Sequence, residues 1–306
     1  MQPTLPLRGR IRHNPPCMSD EEFVIASAVD AMPLTAYRWA APNARAVVAI
    51  AHGAAEHSLR YARFARALNA AGFDVFALDH RGHGKSQGPL GLGDFGGGDW
   101  NALVADLAQF IAHIRARSPQ LPFALFAHSM GSFAAQQLCV THVREAALLD
   151  ALVLSGSTAL ELLGEQVRRQ AWQPNAAFEP ARTVYDWLSR DTAEVDKYIA
   201  DPWCGFEAAA ERRANMRPSD LSPFTTPSML ARLRADLPVL LVAGDADPLN
   251  RKLEGLQRLE RSWREAGVQR IDTRYYAGGR HEMLNEINRD EVTRDVSDWL
   301  SAVLAG

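Results

Sequence analysis

Ser129 stands in the segment 127–131, AHSMG, between a short apolar run and a pattern that favours a helix. Residues 122–126 before it are strand-like, and residues 132–138 after it are rich in helix formers. A serine on a sharp turn from strand to helix holds its hydroxyl above the edge of the sheet. The backbone N–H groups at the start of the helix then point toward the negative charge that develops on the substrate during the reaction. The segment therefore predicts nucleophilic catalysis by Ser129. It departs from the G-x-S-x-G motif in having Ala127 at the position of the first glycine.

Three other matches to known motifs are interpreted as loop sequence. Residues 84–88, GKSQG, match G-x-S-x-G literally, but PLGLG follows and does not favour a helix. Residues 91–96 match a dinucleotide-binding fingerprint, but no strand precedes them. Residues 84–86, GKS, match the end of a phosphate-binding loop, but Asp79 stands where the first glycine of that motif is required. Neither match predicts a nucleotide cofactor.

A serine nucleophile needs a histidine base, which a carboxylate orients. In this type of site the chain order is serine, acid, histidine. Two histidines follow Ser129 in the chain, His142 and His281. His142 precedes any loop that could supply the acid, so the chain order excludes it. His281 lies in the loop after the last predicted strand. The sequence therefore predicts His281 as the base.

Two carboxylates compete for the role of the acid, in the loop after the predicted strand 238–243. Asp245 follows Gly244 directly and is expected to support the turn. Asp247 precedes Pro248, which restricts its backbone. We favour Asp247 as the acid.

Hydrolysis also requires donors for the oxyanion of the tetrahedral intermediate. The N–H of Met130, directly after the nucleophile, is one candidate. The second is the N–H of Ala54, since Gly53 lets the loop after the first core strand turn. No spacing of histidines and cysteines indicates a zinc site, so neither a metal nor another cofactor is expected.

Strand-like and helical segments alternate along most of the chain, which predicts an α/β fold with a mostly parallel twisted sheet and helices on both faces. Residues 22–39 alternate in polarity and are expected to form an antiparallel edge hairpin. Residues 158–230 lack core-type strands but carry helical patterns and aromatic residues. We predict a core of residues 1–157 and 231–306, with 158–230 as a helical cap over the site; an extra packing layer is the alternative.

The composition is that of an ordinary globular protein of 306 residues with a formal charge of −3. This charge gives no reason to expect nucleic acid as a partner. Three cysteines, no apolar block of signal-peptide length and no membrane-span pattern predict a cytoplasmic protein without an integral membrane segment. Transient membrane contact through the cap stays open.

Together these segments resemble the monoacylglycerol lipase and lysophospholipase-like group of the α/β-hydrolases, the serine aminopeptidase-type family. The resemblance rests on residues 52–61 (HGAAEHSLRY), 79–86 (DHRGHGKS), 128–131 (HSMG), 244–247 (GDAD) and 281–286 (HEMLNE), and on cap residues 187–191 and 201–206. It implies the α/β-hydrolase fold, a triad of Ser129, Asp247 and His281, and an oxyanion hole at Ala54 and Met130.

In monoglyceride lipases, polar groups matching Glu56, Arg60 and His128 hold the alcohol end of the substrate, so the resemblance implies that role here. Leu284 departs from the pattern, because it replaces a second histidine three residues after the catalytic one.

The sequence thus predicts a serine carboxylester hydrolase acting on small acyl esters through an acyl-enzyme. The alternative is hydrolysis of an amide, a thioester or a carbon–carbon bond, or of a lysophospholipid, because the fold and the triad do not distinguish these reactions. A binding protein of the same fold without turnover is the third hypothesis.

Overall fold

The computed structural model describes residues 18–163, 173–207 and 221–305. Its sheet has eight strands in the order β1-β2-β4-β3-β5-β6-β7-β8. The strands are β1 Glu21–Ala26, β2 Pro33–Trp39, β3 Ala46–Ala51, β4 Phe73–Leu78, β5 Phe123–His128, β6 Ala151–Ser155, β7 Val239–Gly244 and β8 Ile271–Tyr276. β2 pairs antiparallel with β1 and β4, and all other pairs are parallel. The predicted sheet and its antiparallel edge hairpin are confirmed.

Helices cover both faces of the sheet. The helices are α1 Ala62–Ala70, α2 Trp100–Arg117, α3 Met130–Thr141, α4 Val143–Ala146, α5 Thr192–Ala200, α6 Pro227–Leu230, α7 Glu254–Glu265 and α8 Arg289–Leu304. The Asp99 side chain caps α2, because it accepts hydrogen bonds from the N–H groups of Asn101 and Ala102. No helix of the described residues is long and apolar enough to cross a membrane.

The core lies in two layers because strand side chains alternate between the faces. Val47 and Ala49 of β3 belong to the layer that contains the buried side chains of α2, α3 and α7, whereas Val48 and Ile50 belong to the layer with those of α1 and α8. Every residue of β3, β4, β5, β6 and β7 is buried. Strands that are buried along their whole length are typical of parallel sheets covered on both sides.

The segment 158–230 contains no strand within its described parts, 158–163, 173–207 and 221–230. Its described helical residues include α5 and short 3₁₀ turns at Asp186–Leu188 and Ser222–Thr225. Of the helical pattern Leu160, Leu163, Val167 and Ala171, the last two residues lie outside the described part of the chain, as does the aromatic residue Trp172. The division of the chain into core and cap at 158 and 230 stays a prediction.

Candidate active site

Ser129 occupies a strained backbone position between β5 and α3, with φ of 48° and ψ of −116°. Such conformations of residues other than glycine cost about 1–3 kcal/mol and cluster at functional sites. The Ser129 N–H donates to the carbonyl of Ser155 at 2.9 Å, and its carbonyl accepts from the N–H groups of Ser132 and Phe133 at 2.8 and 3.1 Å. These bonds hold the turn that directs the Ser129 hydroxyl toward the edge of the sheet.

The turn also depends on small residues around Ser129. A Cβ atom on Gly131 would collide with the carbonyl oxygen of Ala51 and lie 2.8 Å from that of His52. Ala127 is fully buried in β5, between Ala51 of β3 and Leu154 of β6. The structure thus accommodates alanine where glycine is usual.

His281 links the serine to a carboxylate. Its Nε2 lies 2.9 Å from Ser129 Oγ, and its Nδ1 lies 2.9 Å from Asp247 Oδ2. Asp247 is buried, and its other oxygen, Oδ1, accepts from the N–H of Leu249 at 2.9 Å. With Nδ1–H donating to Asp247, Nε2 of a neutral His281 is free to accept the serine proton.

The loops after β7 and β8 must pass closely for this contact to form. A Cβ atom on Gly244 would overlap the backbone of Gly279, so glycine is required at this crossing. Asp245 does not reach His281 as a partner; its Oδ1 accepts from the N–H of Gly278 at 2.7 Å. The structure therefore places the two competing carboxylates differently: Asp247 contacts the histidine, and Asp245 holds the turn beside it.

The charges around His281 favour its protonated form. Burial by itself opposes protonation, but the attraction and hydrogen bond of Asp247 outweigh it, with smaller contributions from Glu282 and Glu56. The pKa of His281 is therefore raised from its ordinary value of 6.5. A raised pKa stabilises the imidazolium that forms when the histidine takes a proton.

The loop after β3 lies directly against the serine. A Cβ atom on Gly53 would lie 3.2 Å from Ser129 Cβ, and the N–H of Gly131 donates to the carbonyl of His52 at 3.1 Å. Ala54 follows Gly53 on this loop. Met130 is the first residue of α3, so its N–H has no acceptor within the helix. Both predicted oxyanion donors thus belong to segments adjoining Ser129.

The residues predicted to bind the substrate alcohol, Glu56, Arg60 and His128, line one cavity beside the site. Glu56 is buried, and its Oε1 accepts from the N–H of Gly53 at 2.5 Å and from the hydroxyl of Tyr61 at 2.8 Å. Arg60 Nη1 donates to Glu56 Oε2 at 2.5 Å. Glu56 therefore connects the cavity to the loop that carries Ala54.

Sequence reasoning missed two residues at this site. Glu282 accepts two hydrogen bonds of 2.7 Å from Arg60, one from Nη1 and one from Nη2. The ring of Trp187 lies 4.8 Å from that of His281. An acidic residue directly after the histidine was a visible signal for Glu282, whereas nothing in the sequence indicated which aromatic residue of 158–230 reaches the histidine.

The segment that contains Trp187 is bound to the histidine loop through its backbone. The N–H groups of His281 and Glu282 donate to the carbonyls of Trp187 and Leu188, at 3.3 and 2.8 Å. A second contact joins the segment to the loop after β3, because the carbonyl of Ala55 accepts from the N–H of Gly205 and the hydroxyl of Tyr198, at 2.9 and 2.8 Å. Residues of 158–230 therefore contact both loops that flank Ser129.

The serine of the second motif, Ser86, has a different environment. It is buried, and its hydroxyl accepts from the N–H of Thr35 at 2.7 Å. Turns and isolated bridges follow it instead of a helix. Its motif is therefore part of a loop, as the sequence predicted.

One group of described residues could hold a metal ion: His57, Asp201 and Cys204, whose ligand atoms lie within 4.8 Å of one another. His57 Nε2 and Asp201 Oδ2 are already 2.9 Å apart and form a hydrogen bond. This direct contact already engages the Nε2 atom of His57 and one oxygen of the Asp201 carboxylate. The group joins the loop after β3 to residues 201–204.

The sheet topology, with the serine, histidine and carboxylate meeting at its carboxyl edge, defines an α/β-hydrolase. The chain belongs to the serine aminopeptidase (S33) family, whose model matches residues 42–288. It is 30% identical over 274 residues to a monoacylglycerol lipase of Mycolicibacterium smegmatis, across 84% of this chain and 88% of the relative.

Solved structures agree with this assignment of the fold. A highly thermostable carboxyl esterase from Bacillus coagulans, in complex with glycerol, has a TM-score of 0.79 and 25% identity, over 94% of this chain and all of that one. A soluble variant of monoglyceride lipase from Saccharomyces cerevisiae has a TM-score of 0.74 and 17% identity, over 95% and 97% of the two chains. At this second identity the likeness concerns the fold alone.

Proposed function

We propose that this protein is a serine carboxylester hydrolase that cleaves small acyl esters through an acyl-enzyme. The observation that carries the proposal is the hydrogen-bonded series from Ser129 Oγ through His281 to Asp247, with 2.9 Å at each step. Similarity to a monoacylglycerol lipase and a carboxyl esterase supports an ester as the bond that is cleaved.

In the proposed mechanism Ser129 Oγ attacks the acyl carbonyl while His281 Nε2 accepts its proton. Asp247 orients the ring and stabilises the imidazolium. The N–H groups of Ala54 and Met130 donate to the oxyanion, which then collapses and expels the alcohol with the proton from His281. Water, activated by the same histidine, attacks the acyl-enzyme and releases the carboxylic acid, which restores Ser129.

The first test replaces the nucleophile. We expect Ser129→Ala to lower kcat for p-nitrophenyl esters by roughly 10⁴–10⁶-fold, because no other group on the described part of the site can form the acyl-enzyme. A fluorophosphonate probe should label the wild-type protein at Ser129 and leave the variant unlabelled. Ester chains from acetate to laurate would show which acyl length the site accepts.

Ser86→Ala is the matched control, since Ser86 lies in the literal G-x-S-x-G match but is held in a loop. Its folded fraction should still react with the probe. Folded wild-type protein that takes no label, or Ser129→Ala protein that keeps its turnover, would refute the proposal. Label without ester turnover would direct the search to amide and thioester substrates.

A further inference from the structure

The indole ring of Trp187 lies against the imidazole ring of the proposed general base. The two ring centres are 4.8 Å apart, and the ring planes are inclined at 37° to each other. This is the arrangement of tilted, offset-stacked rings. His281 is buried, whereas Trp187 is half-buried and packs against the apolar cluster of Leu188, Tyr198 and Cys204. An aromatic ring therefore borders the group that takes up the serine proton.

Hydrogen bonds fix the backbone of Trp187 relative to the histidine loop. Its carbonyl accepts from the N–H of His281 at 3.3 Å, and its N–H donates to Asn175 Oδ1 at 2.8 Å. The carbonyl of the next residue, Leu188, accepts from the N–H of Glu282 at 2.8 Å. The tryptophan backbone is therefore held directly against the loop that carries the imidazole.

A buried carboxylate also ties these two segments together. Glu286 is fully buried, and its Oε1 accepts from the N–H groups of Arg190 and Arg280, at 3.1 and 2.9 Å. Its Oε2 accepts from Arg190 Nε at 2.9 Å, and Arg280 Nη1 donates to the carbonyl of Asp186. Residues on both sides of Trp187 are thus bound to the histidine loop, so the indole ring is in place beside the imidazole before any charge develops.

The ionisable groups around His281 belong to several elements. They are Asp247 after β7, Glu282 and Arg280 after β8, Glu56 and Arg60 after β3, His128 at the end of β5, and Asp186 and Arg190 beside Trp187. Against the opposing effect of burial, Asp247 and then the two glutamates favour a protonated imidazole. Arg60 is bound to both glutamates, and burial lowers the pKa of His128 to about 3, so His128 is neutral at pH 7. Trp187 adds an uncharged group, whose own state does not change while His281 titrates.

We propose that Trp187 is a positioning residue for the proton transfer, because its indole ring stabilises the His281 imidazolium by a cation–π interaction. This inference rests on the proposed function. Tryptophan is the aromatic side chain that attracts a cation most strongly, and the attraction increases where water is excluded. Burial removes His281 from water, so the indole ring replaces part of the solvation that the imidazolium lacks. With a neutral imidazole, the same ring provides only the weaker contact of two stacked rings.

The contribution of Trp187 should therefore depend on pH. At high pH the free enzyme holds a neutral imidazole, so the indole ring stabilises the transition state, which contains an imidazolium, but not the free enzyme. At low pH the free histidine is already protonated, so the ring stabilises both states equally. Removing the ring should lower kcat/KM at high pH and leave it unchanged at low pH. A displaced histidine would instead lower kcat/KM by the same factor at every pH.

The test compares Trp187→Leu with its matched control Trp187→Phe, since leucine and phenylalanine are both smaller than tryptophan but only phenylalanine keeps an aromatic ring. With p-nitrophenyl butyrate, Trp187→Leu should lower kcat/KM on the alkaline plateau by about 3–30-fold. The midpoint of its pH profile should move down by about 0.5–1.5 pH units, because the imidazolium has lost its aromatic partner. At acid pH its curve should meet that of the wild type. Trp187→Phe should lie between the two proteins in both quantities.

A titration without substrate measures the same interaction. The imidazole NMR signals of His281, assigned by their absence in His281→Asn, report the pKa of this ring directly. The pKa should be highest in the wild type, lower in Trp187→Phe and lowest in Trp187→Leu. Neither this pKa nor the kinetic midpoint depends on the folded fraction of a sample, and fluorophosphonate titration counts the active sites for each kcat/KM value.

Three outcomes would overturn the inference: Trp187→Leu with the kinetics of the wild type, Trp187→Leu with an unchanged midpoint and the same loss at every pH, or Trp187→Phe that behaves like Trp187→Leu. Failure of the proposed function looks different. The wild type would then cleave no ester and take no fluorophosphonate label, while the NMR titration would still report the effect of Trp187 on His281.

Discussion

At the scale of single residues, the choice between two neighbouring carboxylates has consequences for catalysis. Asp247 contacts Nδ1 of His281, whereas Asp245 accepts a backbone N–H from the same loop region. Without the charge of Asp247, the imidazolium form of His281 loses its electrostatic stabilisation. Without the charge of Asp245, only the hydrogen bond to the turn at Gly278 is affected. The two residues therefore provide a matched pair of variants.

We expect Asp247→Asn to lower kcat by about 10⁴-fold, because an amide favours the wrong tautomer of His281 and does not stabilise its charge. Asp245→Asn should cost less than about tenfold, since the amide oxygen can still accept from Gly278 and one neutral hydrogen bond contributes about 1 kcal/mol. Steady-state kinetics with p-nitrophenyl butyrate measures both. Equal losses in the two variants would refute this assignment of roles.

The raised pKa of His281 predicts the form of the pH profile. Only the neutral imidazole can accept the serine proton, so kcat/KM should rise with pH through the pKa of the free enzyme. The midpoint should lie above the ordinary value of 6.5. Glu282→Gln should move the midpoint to lower pH, because it removes one of the negative charges that favour the protonated ring. A midpoint below 6.5 in the wild type would contradict this account.

At the scale of elements, the site depends on how closely α3 approaches β3. Gly131 in the first turn of α3 lies against the carbonyls at the end of β3, and the N–H of Gly131 donates to the carbonyl of His52. The same approach brings Gly53 beside Ser129. A shift of α3 therefore moves the nucleophile relative to the loop that carries Ala54.

We expect Gly131→Ala to destabilise the fold by about 1–3 kcal/mol, since the new methyl group meets backbone atoms that cannot rotate away. Turnover should fall by about 10²-fold, because the new methyl group would displace Ser129 relative to the proposed oxyanion donors. Thermal unfolding and steady-state kinetics measure the two effects.

Ala127→Gly is the comparison variant on the other side of Ser129. It removes one buried methyl group and should cost no more than about 1 kcal/mol, with turnover retained. If Gly131→Ala loses no more stability and turnover than Ala127→Gly, then activity does not depend on the close approach of α3 to β3.

At the scale of the whole molecule, a buried ion-pair network joins parts of the chain that are distant in sequence. Arg81 is fully buried and donates to Asp106 of α2 at 2.6 Å and to Ser27 after β1 at 2.9 Å. It also donates to the carbonyl of Phe95 at 2.9 Å. The guanidinium of Arg81 thus joins three parts of the chain: the edge hairpin, α2, and the loop that follows β4.

We expect Arg81→Met to lower the free energy of unfolding by about 3–5 kcal/mol, because Asp106 then becomes a buried charge without its cation. Lys85→Met is the control on the same loop, since Lys85 forms an exposed pair with Glu22 and should contribute less than about 1 kcal/mol. Urea unfolding of both variants provides the comparison. A loss of less than 1 kcal/mol for Arg81→Met would show that the network does not stabilise the fold.

The sequence alone determined the sheet, the edge hairpin and the neighbourhood of the site. Apolar runs such as Ala46–Ala51 can be buried only in a sheet covered on both faces. The loops that follow parallel strands meet at one edge, so chain order alone brought Ser129, His281 and the loop of Asp247 together. These are properties of periodicity and connectivity, which a linear sequence carries.

Only the tertiary structure decided which side chains meet across long separations. Arg60 and Glu282 are 222 positions apart, and their pairing depends on how the loops after β3 and β8 pack. The contact of Trp187 with His281 likewise depends on how the segment around Trp187 packs against the loop after β8. Side-chain partners at such distances are determined by packing geometry and local charge, which periodicity and residue order do not encode.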